Sequence, residues 1–278
     1  MRSKTTGASA GIFLLVFCLF SAGCVRYSTP ARRDASFLPY AGAKVGPVSL
    51  REFLLARSAV LFEGGQLSVT ASGTNSRFIG MKGTVSGFGA AAAIDRRGYF
   101  LTAAHCVKQG PFTLLFLDQG RLQAQPARVV WRGDVSKKEP DLAILRVSLP
   151  LRDVFDWMPA FTNGESIVAV GVSLVRNQPM KTQCMAGKIL RLAPGPEAVL
   201  PHYLRTSHDA PLHHGDSGGP LVSNDGRLVG INCSLDLEPR WTHFSIEPVS
   251  ADAERPDLEW LGRLISQDAA LQSGASTN

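Results

Sequence analysis

The sequence predicts an all-β chain built as two six-stranded barrels, with a short helix before them and another at the C-terminus. Three observations carry this. From about Leu61 onward, apolar and β-branched runs alternate with turn signals. No stretch of helical period separates one run from the next, as a sheet of βαβ units would need. The chain has 278 residues, 45% of them hydrophobic, which is length and core enough for two such barrels. Charged residues make up 19%, too few for a disordered chain.

In chain order, Arg2 and Lys4 precede an apolar run from Gly11 to Phe20 that is too short to span a bilayer comfortably. With Ser21, Ala22 and Gly23 after it, this reads as a secretory signal over residues 1–23. Residues 25–48 mix Pro, Ala, Gly and Arg without a period and read as a tether. Ser49 and Glu52 have capping-box spacing ahead of Phe53, Leu54 and Leu55, which predicts a helix over about 49–58. Segment 24–60 is thus tether plus short helix, and the folded domain is expected over 61–267.

The clearest strand runs are Lys82–Gly89, Tyr99–Ala103, Phe112–Leu117, Leu142–Val147, Ser166–Val170, Cys184–Leu190, Leu221–Ser223 and Leu228–Ser234. Asp95-Arg96-Arg97-Gly98 and Asn224-Asp225-Gly226 read as hairpin turns. Gly87-Phe88-Gly89-Ala90-Ala91-Ala92 fits a loose dinucleotide fingerprint, but a turn and a further strand follow it, and position 112 is Phe rather than an acid. Leu258, Leu261, Leu264 and Ile265 give Asp257–Ile265 one apolar helical face. Residues 268–278 are small and polar and read as a flexible tail.

The chemistry centres on Gly215-Asp216-Ser217-Gly218-Gly219-Pro220. A serine hydroxyl needs a base beside it and donors aimed at the charge it creates on a carbonyl. Flanking glycines let the chain turn so that the amides of Gly215 and Ser217 face one oxygen. Two further stretches come earlier, Leu101-Thr102-Ala103-Ala104-His105-Cys106 and Pro140-Asp141-Leu142-Ala143-Ile144-Leu145. Asp141 opens an apolar run, an edge-of-core setting that neither Asp134 nor Asp153 shares.

The order His, Asp, Ser and the three stretches together resemble the chymotrypsin-like (trypsin-fold) serine endopeptidases. The resemblance implies His105 as general base, Asp141 as the acid that fixes its tautomer, Ser217 as nucleophile, and the Gly215 and Ser217 amides as oxyanion hole. Asp209-Ala210-Pro211-Leu212-His213-His214, the Asp225–Asn232 run and His243-Phe244-Ser245-Ile246-Glu247-Pro248 are similar to the HtrA-type bacterial branch, the last to its final core strand. That branch commonly has Asn where this chain has Asp216. Only 28 residues follow Ser250, so its usual PDZ domain is not expected. No zymogen cleavage is expected either.

Trypsin-type enzymes carry an acid six residues before the nucleophile; here that residue is Pro211. With Leu212, Cys233, Ser234 and Leu235 as further walls, the expected P1 side chain is small or apolar. Ser21-Ala22-Gly23-Cys24 resembles a lipoprotein lipobox with Ser21 in place of the usual Leu. This implies a lipid-anchored protein of the bacterial cell envelope, acylated at Cys24, with ordinary cleavage to a secreted soluble form as the alternative. Partners are then protein or peptide substrates and a membrane.

Of five cysteines, Cys106, Cys184 and Cys233 fall in the domain, enough for at most one disulfide, with Cys184–Cys233 left open. The upstream stretch 87–94 holds no Cys to pair with Cys106, which reads as a small buried side chain. The net charge of +6 is spread in isolated basic doublets without aromatic interleaving, so no nucleic-acid role is expected. His208, His213 and His214 lack a completing Cys or carboxylate, so no metal or cofactor is expected. The reading of another class is a catalytically silent protease-fold binding lipoprotein.

Overall fold

The strand runs close into two barrels. The computed structural model describes residues 35–64, 66–70, 78–82, 85–173, 181–240 and 245–275. Cys24 and the signal segment lie outside the described residues. The elements are β1 (Lys44–Val45), β2 (Val48–Ser49), α1 (Leu50–Ala56), β3 (Ser58–Glu63), β4 (Gln66–Thr70), β5 (Phe78–Lys82), β6 (Gly87–Asp95), β7 (Tyr99–Ala103), β8 (Phe112–Asp118), β9 (Arg121–Arg132) and β10 (Leu142–Arg146). They continue with β11 (Ser166–Ser173), β12 (Lys181–Pro194), β13 (Tyr203–His208), β14 (Pro220–Ser223), β15 (Leu228–Arg240), β16 (Ser245–Pro256) and α2 (Leu258–Ala275). One closed ring runs β3-β6-β7-β10-β9-β8 and the other β11-β12-β13-β16-β15-β14. Each takes its first three strands as a meander and then its sixth, fifth and fourth, so the barrels repeat one topology.

Every residue of β3 is buried. Successive side chains point to opposite faces, and here Ala59 and Leu61 enter the first barrel's interior while Val60 and Phe62 pack on its far side with Ala90 and Leu115. A separate cluster joins the barrels: Leu101, Ala103, Leu142 and Ile144 meet Val168, Val170, Val222 and Ile231. Leu50 and Leu54 of α1, together with Phe37, are buried in this same cluster. Segment 35–57, read from sequence as tether and helix, therefore packs as part of the domain. The capping box is formed: the Ser49 side chain accepts from the Glu52 amide, and Glu52 accepts from the Ser49 amide.

Several boundaries differ from expectation. The run at Lys82–Gly89 is not one strand, because β5 ends at Lys82 and β6 starts at Gly87. β9 was not among the expected runs, although Arg121, Gln123 and Gln125 alternate with Leu122 and Ala124; it pairs along β8 and closes on β10. α2 runs to Ala275, well past Ile265; Tyr99 Oη donates to Asp268 at 2.7 Å, and Arg146 lies 3.5 Å from the same carboxylate.

Among the described residues, Thr206, His208 and Asn232 are polar side chains buried in the second barrel, all at most 1% exposed. His208 Nε2 sits 3.1 Å from Asn232 Oδ1, and Nδ1 has no partner among the described residues. Burial disfavours the charged ring and pushes its pKa down to about 4. The unfolded chain takes up this proton near 6.5, so the stability tied to neutral His208 is full above pH 6.5 and is lost as pH falls toward 4. That interval corresponds to about 3 kcal/mol. His208→Leu is expected to flatten the dependence of the urea midpoint between pH 7.5 and 4.5; an unchanged dependence would show that other groups dominate acid unfolding.

Candidate active site

The antiparallel pairing of Leu142 with Ala103 brings the residue before β10, Asp141, alongside the 3-10 turn Ala104–Cys106 that follows β7. The Ala104 amide donates to the Asp141 carbonyl at 3.1 Å. The His105 amide donates to Asp141 Oδ1 at 2.9 Å, and His105 Nδ1 lies 2.6 Å from Oδ2. So short a contact with a carboxylate fixes the proton on Nδ1 and leaves Nε2 to accept another. Arg132 Nε donates to the Ala104 carbonyl at 3.1 Å and steadies the turn from β9. The Asp141 carboxylate, with help from Cys106, favours the protonated ring over the cost of burial, so His105 titrates above the ordinary histidine range.

Ser217 comes from the second barrel, in the turn before β14, and that turn is docked on the first. The Ala90 amide of β6 donates to the Ser217 carbonyl at 2.8 Å, and the Gly218 amide donates to the Asn232 carbonyl at 2.7 Å. Gly218 has φ +84°, and a Cβ there would stand 2.0 Å from the Ala90 carbonyl oxygen and 2.2 Å from Thr102 Oγ1. Gly215 has φ +100°, which an L side chain rarely adopts, and a Cβ would meet Phe88 at 2.4 Å. His105, Cys106, Gly215 and Ser217 line one cleft of about 470 Å³, with Phe88 and His214.

Asp216 is fully buried, and its Oδ2 accepts from the His213 amide at 2.7 Å. Gly171 makes room for it: a Cβ there would lie 1.9 Å from Asp216 Oδ1. The carboxylate thus finds a donor within its own turn.

The five residues named as substrate-pocket walls are spread out. Leu212 is buried in the second barrel's core, with Leu235 packed against it. Cys233 is buried between the barrels, its thiol donating toward the Asp141 carbonyl at 3.2 Å. Pro211 lines a different surface hollow with Tyr40 and Lys188, and Ser234 is exposed. None of the five lines the cleft that holds Ser217.

One cysteine question left open is answered and one expectation is corrected. Cys184 and Cys233 are both free thiols, so the bridge left open by the sequence does not form. Cys106 is only half-buried and lines the cleft, with Sγ 3.7 Å from the Ser217 carbonyl oxygen. Gly89 leaves it that space, since a Cβ there would lie 2.8 Å from Sγ.

Sequence reasoning missed Glu63 and Lys108 on the cleft wall, and Glu254 beside Asp141. Glu63 sits at the end of an apolar strand and accepts the Gln109 amide. Its only sequence signal is an acid closing an otherwise apolar run. Of the expected final core strand at 243–248, residues 243–244 lie outside the described residues and 245–248 are strand. β16 begins at Ser245, and the part that closes the barrel on β13 is Ala251–Pro256, where Ala251 and Ala253 face the interior.

The family model described as trypsin-like peptidase domain matches residues 85–231. A protein named serine protease HTRA2, mitochondrial, from Drosophila ananassae is 31% identical over 151 residues, covering 52% of this chain and 33% of its own length. Its counterpart from Drosophila virilis is 30% identical over the same number of residues. The chain spans about a third of the length of these relatives. A solved structure described as HtrA-type protease AlgW with decapeptide shares the fold, with a TM-score of 0.53 at 20% identity, over 79% of this chain and 67% of that one.

Proposed function

Because the chain belongs to the trypsin-like peptidase domain family, whose model matches more than half of it, we propose that it is a serine endopeptidase working through Ser217, His105 and Asp141. The observation that carries this reading is the pair of bonds from His105 to Asp141 beside the cleft that also holds Ser217. His105 takes the Ser217 proton through Nε2 as the hydroxyl attacks a peptide carbonyl, then returns it to the leaving amine. Asp141 stabilises the imidazolium between these steps. The Gly215 and Ser217 amides stabilise the oxyanion; loss of one such donor typically costs about 10²–10³ in rate.

The substrates are proteins or peptides. The cleft's own wall favours small or apolar P1 side chains: Val85 and Phe88 are apolar, and Glu63, the acid there, is engaged by the Gln109 amide. An unfolded protein substrate is expected to be cut after such residues, and Ser217→Ala to reduce turnover by at least about 10⁴-fold. Peptide mass spectrometry of the products checks both points. Equal cleavage by the two proteins would overturn the assignment.

The protein acts from a membrane anchor in the cell envelope, acylated at Cys24 behind the signal segment. Among the described residues no helix is long and apolar enough to cross a membrane. Radiolabelled palmitate is expected to enter the full-length chain and not Cys24→Ser; equal labelling, or none in either, would favour the soluble secreted form.

A further inference from the structure

Glu254 is 2% exposed, yet it carries a carboxylate on a strand between two barrels. Its orientation follows from β16. Ala251 and Ala253 point into the second barrel, so Asp252 and Glu254 point the other way, toward the first. On β13 the residues opposite them are Ser207 and Arg205. Arg205 donates to Glu254 Oε1 from Nη2 at 2.7 Å and from Nε at 3.2 Å. The other oxygen, Oε2, accepts the Asp141 amide at 2.6 Å. Burying a carboxylate is unfavourable unless it is paired and hydrogen-bonded, and here both of its oxygens are used.

The bond crosses from one barrel to the other. Asp141 and His105 belong to the first barrel and Ser217 to the second. The Asp141 carbonyl is held by the Ala104 amide and the Cys233 thiol, and its amide by Glu254. The backbone of Asp141 is therefore fixed on both sides, and its carboxylate is left to face His105.

We propose that the Glu254–Arg205 pair is a positioning device for Asp141, latching the acid end of the first barrel to the second and so holding His105 within reach of Ser217. This rests on the serine-protease reading of those three residues. Glu254 touches neither substrate nor the reacting atoms. The charged and titratable groups beside the Asp141–His105 pair, besides these, are Cys106, Arg132 and Cys233, and those beside the Glu254–Arg205 pair are Tyr203, Cys233 and Asp252.

The test compares Glu254→Ala and Glu254→Gln with the wild type, measuring kcat per Ser217 site titrated with a fluorophosphonate and following the His105 ring by NMR titration. Glu254→Ala removes both the acceptor and the charge. It is expected to lower kcat per titrated site at least tenfold with KM little changed, because small misplacements of reacting groups are costly. Glu254→Gln keeps an acceptor for the Asp141 amide and should stay within about threefold of wild type. Its lost negative charge should lower the His105 titration midpoint by about half a pH unit. A purely structural role would reduce the number of titratable sites and the melting temperature but leave both readouts unmoved. Unchanged turnover per site in Glu254→Ala, or an unchanged His105 midpoint in Glu254→Gln, would overturn the proposal. If Glu254→Ala does not fold, the Glu254→Gln midpoint decides. If the wild type neither labels nor cleaves, the protease reading fails, while the NMR midpoint still tests the latch by itself.

Discussion

Asp141→Asn is expected to lower kcat about 10⁴-fold at neutral pH while KM changes little. Asn can still accept the His105 amide where Oδ1 does now. Its NH2 group would then face His105 Nδ1 and, as a donor, would force the ring proton onto Nε2. In that tautomer the ring has no lone pair for the Ser217 proton. The substitution also removes the charge that raises the His105 pKa. The ascending limb of kcat/KM, above pH 6.5 in the wild type, should therefore move to lower pH in the residual activity. The stability effect has a sign as well. A His whose folded pKa is raised contributes stability in full below its unfolded value of 6.5 and loses it as pH rises through the folded value. The urea midpoint difference between wild type and Asp141→Asn should thus be larger at pH 6 than at pH 10. An equal difference at the two would contradict the ion pair.

Gly218→Ala is expected to destabilise the protein by about 2–5 kcal/mol, a large part of the stability of an ordinary domain. Two costs add. The left-handed conformation at φ +84° costs an alanine about 1–2 kcal/mol. The new methyl must also displace the Ala90 carbonyl and Thr102 Oγ1, which are bonded to each other at 2.6 Å; such overpacking costs about 1–3 kcal/mol. Gly164 supplies the control. Its φ is also +84°, but nothing lies within 4 Å of its would-be Cβ. Gly164→Ala should show only the first cost. Denaturant midpoints for the two variants check the difference, and equal midpoints would mean that the turn is not packed between the barrels.

The parts of the site legible in the sequence are those whose geometry is local. Gly215–Pro220 encodes its own turn, because positive φ and close approach need glycine at fixed positions. The small residues Ala103 and Ala104 and the apolar run after Asp141 likewise mark strand ends in sheet β7-β10. The double barrel was legible for the same reason, as runs and turns with period two. Glu254 was not. It lies 113 residues from Asp141, and its contact depends on the register of β16 against β13 and on how the barrels meet. Its strand, Ala251-Asp252-Ala253-Glu254, reads as polar outside and small inside, which is the pattern of a solvated face. The first barrel covers that face. The same limit explains Leu50 and Leu54 of α1, whose burial needs both barrels in place.

The central claim is that Ser217 is a nucleophile activated by His105 and Asp141. It is tested most directly by exposing the purified folded protein to a fluorophosphonate probe and locating the adduct by peptide mass spectrometry. The account predicts one adduct, on Ser217, absent in Ser217→Ala and formed far more slowly in Asp141→Asn. Folded protein that carries no adduct at Ser217 would contradict it and favour a protease fold kept for binding.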